Sequence, residues 1–259
     1  MPTLIHLSDL HFGPGYLSHL GDLILKEIET LNPDAVVISG DFTMRAGHKE
    51  YQAARAYLAK IARPILAIPG NHDQPIFDPL ERLTSPFARY QKYICAETDA
   101  AFQAGGLCIV GLNDNRRIFP GGFWSSAQRK WLTAQLDRAP RGAIKIVATH
   151  HQLMWEGKVR PAGFWFPSRA FAFLAQRGVD VVLNGHTHIP SAAQTPEGMV
   201  VVRAGTSTSS RTRHGSGNAY NLIVADEKQI SVFVRQYDKR SDAFSAARAY
   251  TFPRRLNSV

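Results

Sequence analysis

Residues 35–41, Ala35-Val36-Val37-Ile38-Ser39-Gly40-Asp41, decide the fold: an apolar, β-branched run closed by a glycine and an acid. A continuous apolar run bounded by turn residues reads as a strand buried on both faces, the kind found in a parallel sheet covered by helices. The same texture recurs on either side. Upstream, Thr3 to Ser8 reads as a strand and Leu17 to Leu31, with apolar residues three and four apart, as a helix. Downstream come a helix over Lys49 to Ile61, a strand over Ile65 to Ile68, a helix over Leu80 to Tyr93 interrupted by Pro86, and a strand over Leu107 to Leu112. Ser125 or Ser126 caps a helix running to about Asp137, followed by a strand over Ala143 to Thr149, a helix over Ser168 to Gln176 and a strand over Val179 to Leu183. From Ala192 onward the runs Met199 to Arg203, Tyr220 to Ala225 and Ile230 to Arg235 are strand-like with turns between them, which predicts an antiparallel sheet. Alternating strands and helices followed by consecutive strands predict an α/β (α+β) fold of helix-covered sheets in one domain over residues 1–259, with the tail from about 238 unassigned.

Composition agrees. At 259 residues, 44% apolar and 20% charged, the chain buries a core without disulfide staples, and disordered, collagen-like and coiled-coil classes are excluded. Its two cysteines, Cys95 and Cys108, stand apart in apolar surroundings and read as buried free thiols. No apolar run is long enough to span a bilayer, and the opening Met1 to Asp9 is too polar for a signal peptide, so the expected location is the cytoplasm with no membrane partner. A net charge of +9 favours anionic partners. The basic residues are dispersed, so nucleic acid is a permitted but unfavoured partner. Two long irregular stretches, Asp114 to Trp124 and Gln152 to Pro167, are rich in Gly, Pro and aromatics, and loops of that length usually carry function.

Four apolar strands end in groups able to bind a cation: Asp9-Leu10-His11, Gly40-Asp41, Gly70-Asn71-His72-Asp73 and His150-His151. A fifth ends in Gly185-His186-Thr187-His188. Each alone is more often a turn or a surface residue. Loops at the carboxyl ends of neighbouring strands converge on one crevice, however, and five such endings together point to a shared ion site. His6 packs within the first strand, and His19, His48 and His214 read as surface residues.

This ordered series resembles the calcineurin-like metallophosphoesterase family, over residue 3 to about 210. The resemblance implies a four-layer double β-sandwich flanked by helices and two divalent metal ions, of which Mn, Fe, Zn and Co all suit the donors. Position by position, it implies one metal held by Asp9, His11, Asp41 and His188 and a second by Asp41, Asn71, His150 and His186, with Asp41 bridging. Of the adjacent pair His150 and His151, His150 follows the strand directly and is taken as the ligand. His72 would hydrogen-bond the phosphate or protonate the leaving oxygen, and Asp73 would orient that loop. Such a pair of ions activates water and neutralises phosphoryl charge, so no cysteine or serine nucleophile is required. Candidate substrate contacts are Asn113, Arg116, His151, Arg211 and Arg213. The hydroxyls of Thr206 to Ser210 suit phosphate, and the aromatics Trp155, Phe164, Trp165 and Phe166 suit a pocket cap or a homodimer contact. The expected activity is hydrolysis of a small phosphodiester such as a cyclic nucleotide; a phosphomonoesterase or nuclease on the same site is the alternative, and a non-catalytic scaffold the remote one.

Overall fold

The computed structural model describes residues 1–153 and 163–255. Strands β1 (Thr3–Leu7), β2 (Ala35–Ile38) and β3 (Ile65–Ala67) run parallel, as their continuous burial requires. Between them lie helices α1 (Ser18–Leu31) and α2 (His48–Leu58). The predicted helix over Leu80 to Tyr93 is two short helices, α3 (Pro79–Thr84) and α4 (Ala88–Tyr93), because Pro86 cannot continue an α-helix. Next come β4 (Ala100–Ala104), β5 (Leu107–Gly111), α5 (Ser126–Asp137), β6 (Ile144–Ala148), α6 (Pro167–Gln176), β7 (Val181–Asn184), β8 (Ser191–Gln194) and β9 (Val200–Arg203). Ser125 is the N-cap of α5, its hydroxyl accepting from the Gln128 amide at 3.1 Å while the Gln128 side chain reaches back to the Ser125 amide.

The C-terminal strands do not form a sheet of their own. β10 (Ala219–Ala225), β11 (Gln229–Asp238) and β12 (Ala243–Pro253) extend the first sheet, whose order is β12-β11-β10-β1-β2-β3. The second sheet has the order β4-β5-β6-β7-β9-β8, parallel within and antiparallel at both edges. Residues Ala243–Pro253 of the tail left unassigned from sequence thus form an edge strand, and Arg254 after it pairs with Asp180 at 2.9 Å beside β7.

Strand alternation sorts the core into three layers. Leu4, Val37, Leu66, Ile109, Ile146, Leu183 and Val202 fill the space between the sheets. Ile5, Val36 and Ile38 pack on Ile24 and Ile28 of α1 and Tyr51 and Ala54 of α2, while Val110, Val147 and Val182 pack on Leu132 and Leu136 of α5 and Leu174 of α6. The result is the expected four layers, helix, sheet, sheet, helix. Cys108 is buried but Cys95 is only half-buried, and neither forms a disulfide. No helix among the described residues is long and apolar enough to cross a membrane.

The carboxyl ends of β1, β2 and β3 in one sheet meet those of β5, β6, β7 and β9 in the other, so the loops following seven strands share one edge of the sandwich. Close approach of the sheets depends on Gly111, where an added Cβ would stand 2.5 Å from Leu66 Cδ2 and 2.6 Å from Ile68 Cγ2. Gly111→Val is expected to lower unfolding stability by about 1–3 kcal/mol, measured by denaturant titration; an unchanged midpoint would show that the sheets tolerate separation there.

Candidate metal centre

Each loop begins where a buried strand stops, and the backbone bends sharply to turn its side chains inward. Asp9, His11, Asp41, His186 and His188 all have positive φ, between 51° and 66°. That region costs a non-glycine residue roughly 1–2 kcal/mol. Glycines make the close approaches possible. A Cβ on Gly70 would overlap Asp41 Oδ1, and one on Gly185 would overlap Ser8 Oγ.

The donors converge in two groups, Asp9 with His11 and His188, and Asp9 with Asp41 and His150, the ligand atoms of each lying within 4.8 Å of one another. His188 Nε2 is 3.0 Å from Asp9 Oδ1 and 3.2 Å from His11 Nε2. Asp41 stands between the groups, with Oδ2 3.7 Å from His11 Nε2 and Oδ1 3.4 Å from His150 Nε2. Asn71 Oδ1 lies 3.0 Å from both His150 Nε2 and His186 Nδ1. All seven candidate ligands therefore share one locus, and Asp41 occupies the position between them that a bridging carboxylate would need.

The outer atoms of the rings fix their orientation. His11 Nδ1 donates to Thr43 O at 3.3 Å, His188 Nδ1 to Arg211 O at 2.5 Å and His150 Nδ1 to Ser39 O at 2.7 Å. With those atoms committed, His11 and His188 turn their Nε2 atoms toward the same point; burial would lower the His188 imidazole, but Asp9 outweighs it and raises it. A shared cation satisfies that arrangement fully, whereas a single proton satisfies only one ring. Asp9 Oδ1 is buried with no hydrogen-bond donor, while Oδ2 accepts from the His186 amide at 3.0 Å. Imidazole, carboxylate and amide oxygen in this proportion suit a divalent transition metal, so the residues fit the ions that the sequence implies.

Electrostatics follow from burial. Burial pushes the His11 imidazole down to about 4 against the pull of Asp41 and Asp9. Burial would likewise lower His150, but Asp41 outweighs it and holds the ring above the ordinary imidazole range. Burial would raise Asp41, yet His150, His72 and His11 keep it well below the carboxylate range. Asp73 is raised to about 7 by burial and by the neighbouring Asp41 charge. Its oxygens accept from the amides of Phe42 (3.1 Å), Thr43 (2.9 Å) and Gly70 (2.9 Å), so it clamps the β2 and β3 loops together.

His72 places its amide on Asp41 Oδ1 at 2.8 Å, and its Nδ1 donates to Met44 O at 2.9 Å, leaving Nε2 3.3 Å from Arg211 Nη1. His151 does not meet the ligand groups. Its Nδ1 is 3.2 Å from Asp114, whose carboxylate also accepts from the amides of His150 (3.3 Å) and His151 (3.0 Å). Burial would raise Asp114, but His151 outweighs it and holds the acid down at about 2. Asp114 escaped the sequence reading; an acid directly after a buried strand was its only signal.

Other expectations change. Asn113 turns Oδ1 onto the amide and side chain of Asn115, at 3.1 and 2.8 Å, so Asn115 rather than Asn113 lines the cavity beside the ligands. The hydroxyls of Thr206 and Thr208 are buried and donate to Asp9 O and Leu10 O at 2.7 and 2.8 Å. They hold the β1 loop rather than offering phosphate contacts. Arg213 is exposed, and among the described residues only its peptide oxygen is engaged, by Ser216. His6 is buried against Ser39 Oγ at 2.9 Å, as expected of a core histidine. Of the aromatic group, Phe164 is buried against Trp124, Trp165 and Phe166 are exposed, and Trp155 lies outside the described residues.

Residues 2–190 match the model of the calcineurin-like phosphoesterase family, and the chain belongs to that family of phosphoesterases. Among curated relatives, a glycerophosphodiester phosphodiesterase of Enterobacter lignolyticus is 39% identical over 80 residues, 27% of this chain and 29% of that protein. Two probable cyclic nucleotide phosphodiesterases also match. That of Synechococcus is 24% identical over 64% of this chain and 62% of its own length, and that of Vesicomyosocius okutanii is 34% identical over 72% and 78%. The first two matches thus span less than two thirds of those relatives. A purple acid phosphatase from yellow lupin shares the fold with a TM-score of 0.76 at 14% identity, covering 97% of this chain and 53% of that one.

Two outcomes are expected. Gly70→Ala displaces Asp41 and is expected to weaken manganese binding by roughly 10–100-fold in equilibrium dialysis; unchanged affinity would remove Asp41 from the centre. Because an ion must expel the proton that Asp41 holds on His150, binding to the metal-free chain is expected to release a proton and to weaken as pH falls through the raised His150 range, from the alkaline side of neutrality downward. Calorimetry in buffers of different ionisation enthalpy reads this, and pH-independent binding with no proton release would contradict it.

Proposed function

We propose that the protein is a metal-dependent phosphodiesterase acting on a small phosphodiester, cyclic nucleotides being the first class to test. Asp9, His11, Asp41 and His188 would hold one divalent ion, and Asp41, Asn71, His150 and His186 a second. When bound, the ions supply Lewis-acid charge neutralisation and lower the pKa of water at the centre. The diesterase names of the relatives support this reading.

The observation that carries it is the position of His72. Its ring stands edge-on to His11 with centroids 5.0 Å apart, and with its Nδ1 tied to Met44 O its Nε2 is turned to Arg211, 3.3 Å away. Protonated at Nε2, it serves as the general acid that hands its proton to the departing alkoxide. That help matters most when the leaving group is a poor one. Arg211 donates to His72 Nε2 in the free protein; in the complex the guanidinium turns to a phosphoryl oxygen and frees that nitrogen. Asp73 keeps the His72 loop in register with Asp41 through its three amide contacts.

The test is initial rates on bis(4-nitrophenyl) phosphate and 4-nitrophenyl phosphate with manganese-loaded protein. A higher kcat/KM on the diester is expected, and a monoester preference would make the protein a phosphomonoesterase instead. His72→Ala is expected to lower kcat on an alkyl-leaving diester by about a hundredfold or more and on the aryl diester far less. An equal loss on both would deny His72 the proton.

A further inference from the structure

A cavity of about 190 Å³ opens beside Asn71 and His186, with Arg82, Arg116, Phe119 and His151 among its walls. Among the described residues no Asp or Glu lines it, and neither His72 nor Arg211 does. It therefore lies apart from the group assigned to the leaving oxygen.

Its two arginines are half-buried and turned onto backbone. Arg82 Nε donates to Arg117 O at 2.9 Å and its Nη1 to Pro75 O at 3.4 Å. Arg116 lies over the Phe123 ring at 4.6 Å, donates through Nη2 to Phe123 O, and keeps a buried Nε without a partner. Among the described residues no carboxylate forms an ion pair with either of these two, in contrast to Arg89, Arg235 and Arg254. Asp114 acts on Arg116 only at range, because its oxygens serve the His150 and His151 amides. Burial lowers the pKa of both guanidiniums, the mark of cations that have lost hydration without gaining a carboxylate. The loop presenting Arg116 is held to α3 by reciprocal bonds, Arg82 to Arg117 O and Arg117 Nη1 to Leu83 O at 2.9 Å, so the two charges are placed relative to each other before any ligand arrives. Ile118 and Phe119, 68% and 62% exposed, add an apolar rim.

We infer that this cavity is a specificity subsite for a second anionic group, carboxylate or phosphate, carried by the alcohol that stays on phosphorus while the other departs at His72. The inference rests on the diesterase reading and narrows its substrate class from small phosphodiesters in general, cyclic nucleotides included, to acyclic diesters that carry a second anion. Two unpaired guanidiniums favour a fixed anion and are left uncompensated by a neutral substituent.

The test uses three 4-nitrophenyl phosphodiesters that share a leaving group and differ in the retained alcohol: ethyl, 2-carboxyethyl and 2-phosphoethyl. With manganese-loaded protein a charged arm is expected to raise kcat/KM over ethyl by roughly tenfold to a hundredfold. The arm with the larger factor identifies the group. The preference is expected to collapse toward one in Arg116→Met and in Arg82→Met; because Arg82 also tethers the loop, Arg82→Lys is expected to keep part of it. Calorimetric binding of 2-carboxyethylphosphonate against ethylphosphonate repeats the comparison without turnover. Should no diester be hydrolysed, the diesterase reading fails, and the binding comparison alone decides the subsite. Equal treatment of all three arms in rates and binding, or a full preference retained in both methionine variants, overturns the inference.

Discussion

The structure depends on a crowding of buried donors that want the same cation. Asp9 and Asp41 carry negative charge at nearly complete burial, and the Nε2 atoms of His11 and His188 stand 3.2 Å apart beside them. In a low-dielectric interior such a set is unfavourable on its own. The shifts of its members describe that tension: Asp41 is held down by imidazoles, His150 up by carboxylates, and His11 down by burial. Two divalent ions would relieve this tension together, one held beside the His11 and His188 rings and the other in place of the proton on His150, with Asp41 between them.

What keeps the donors from moving apart is the rest of the sandwich. The strands that end at the centre are buried between two sheets and under helices; their loops are tied across the sheets by Thr206 to Asp9 O and His150 to Ser39 O, and within the first sheet by Asp73 to the amides of Phe42 and Thr43. Left-handed backbone at five candidate ligands is a local cost that the surrounding packing sustains. Rigidity of this kind lets donors from five loops converge, and it is the reason glycines at 70 and 185 stand where any side chain would strike a ligand or its neighbour.

Much of this was legible in the chain. Every candidate ligand sits in a short motif directly after an apolar run, so the convergence of Asp9, His11, Asp41, Asn71, His150, His186 and His188 follows once those runs are strands of neighbouring sheets. The Ser125 cap was legible for the same reason, since a hydroxyl and Gln128 stand at capping spacing. The remainder depends on tertiary contacts. β4 alternates half-buried and exposed residues at a sheet edge, β8 is four residues long, and β12 is largely exposed, so none carries the apolar signature of a buried strand. Which sheet the last strands join is set by their pairing with β1 and β7, which local sequence does not encode. The loops misled in a similar way. Asn113 and Asn115 are chemically identical, and only the turn geometry decides which one lines the cavity. The hydroxyls of 206 and 208 suit a phosphate equally well in sequence, yet they are consumed by the β1 loop. Asp114 and Arg82 gain their meaning from residues about 35 positions away, at His150, His151 and Arg117.

The central claim is that donors from both sheets build one centre for two ions bridged by Asp41. Electron paramagnetic resonance of the manganese-loaded protein, read together with bound metal per chain, tests it most directly. The expected result is two ions per chain with the spectrum of an exchange-coupled pair. One ion per chain, or two whose spectra simply add as isolated centres, would contradict a shared bridge at Asp41.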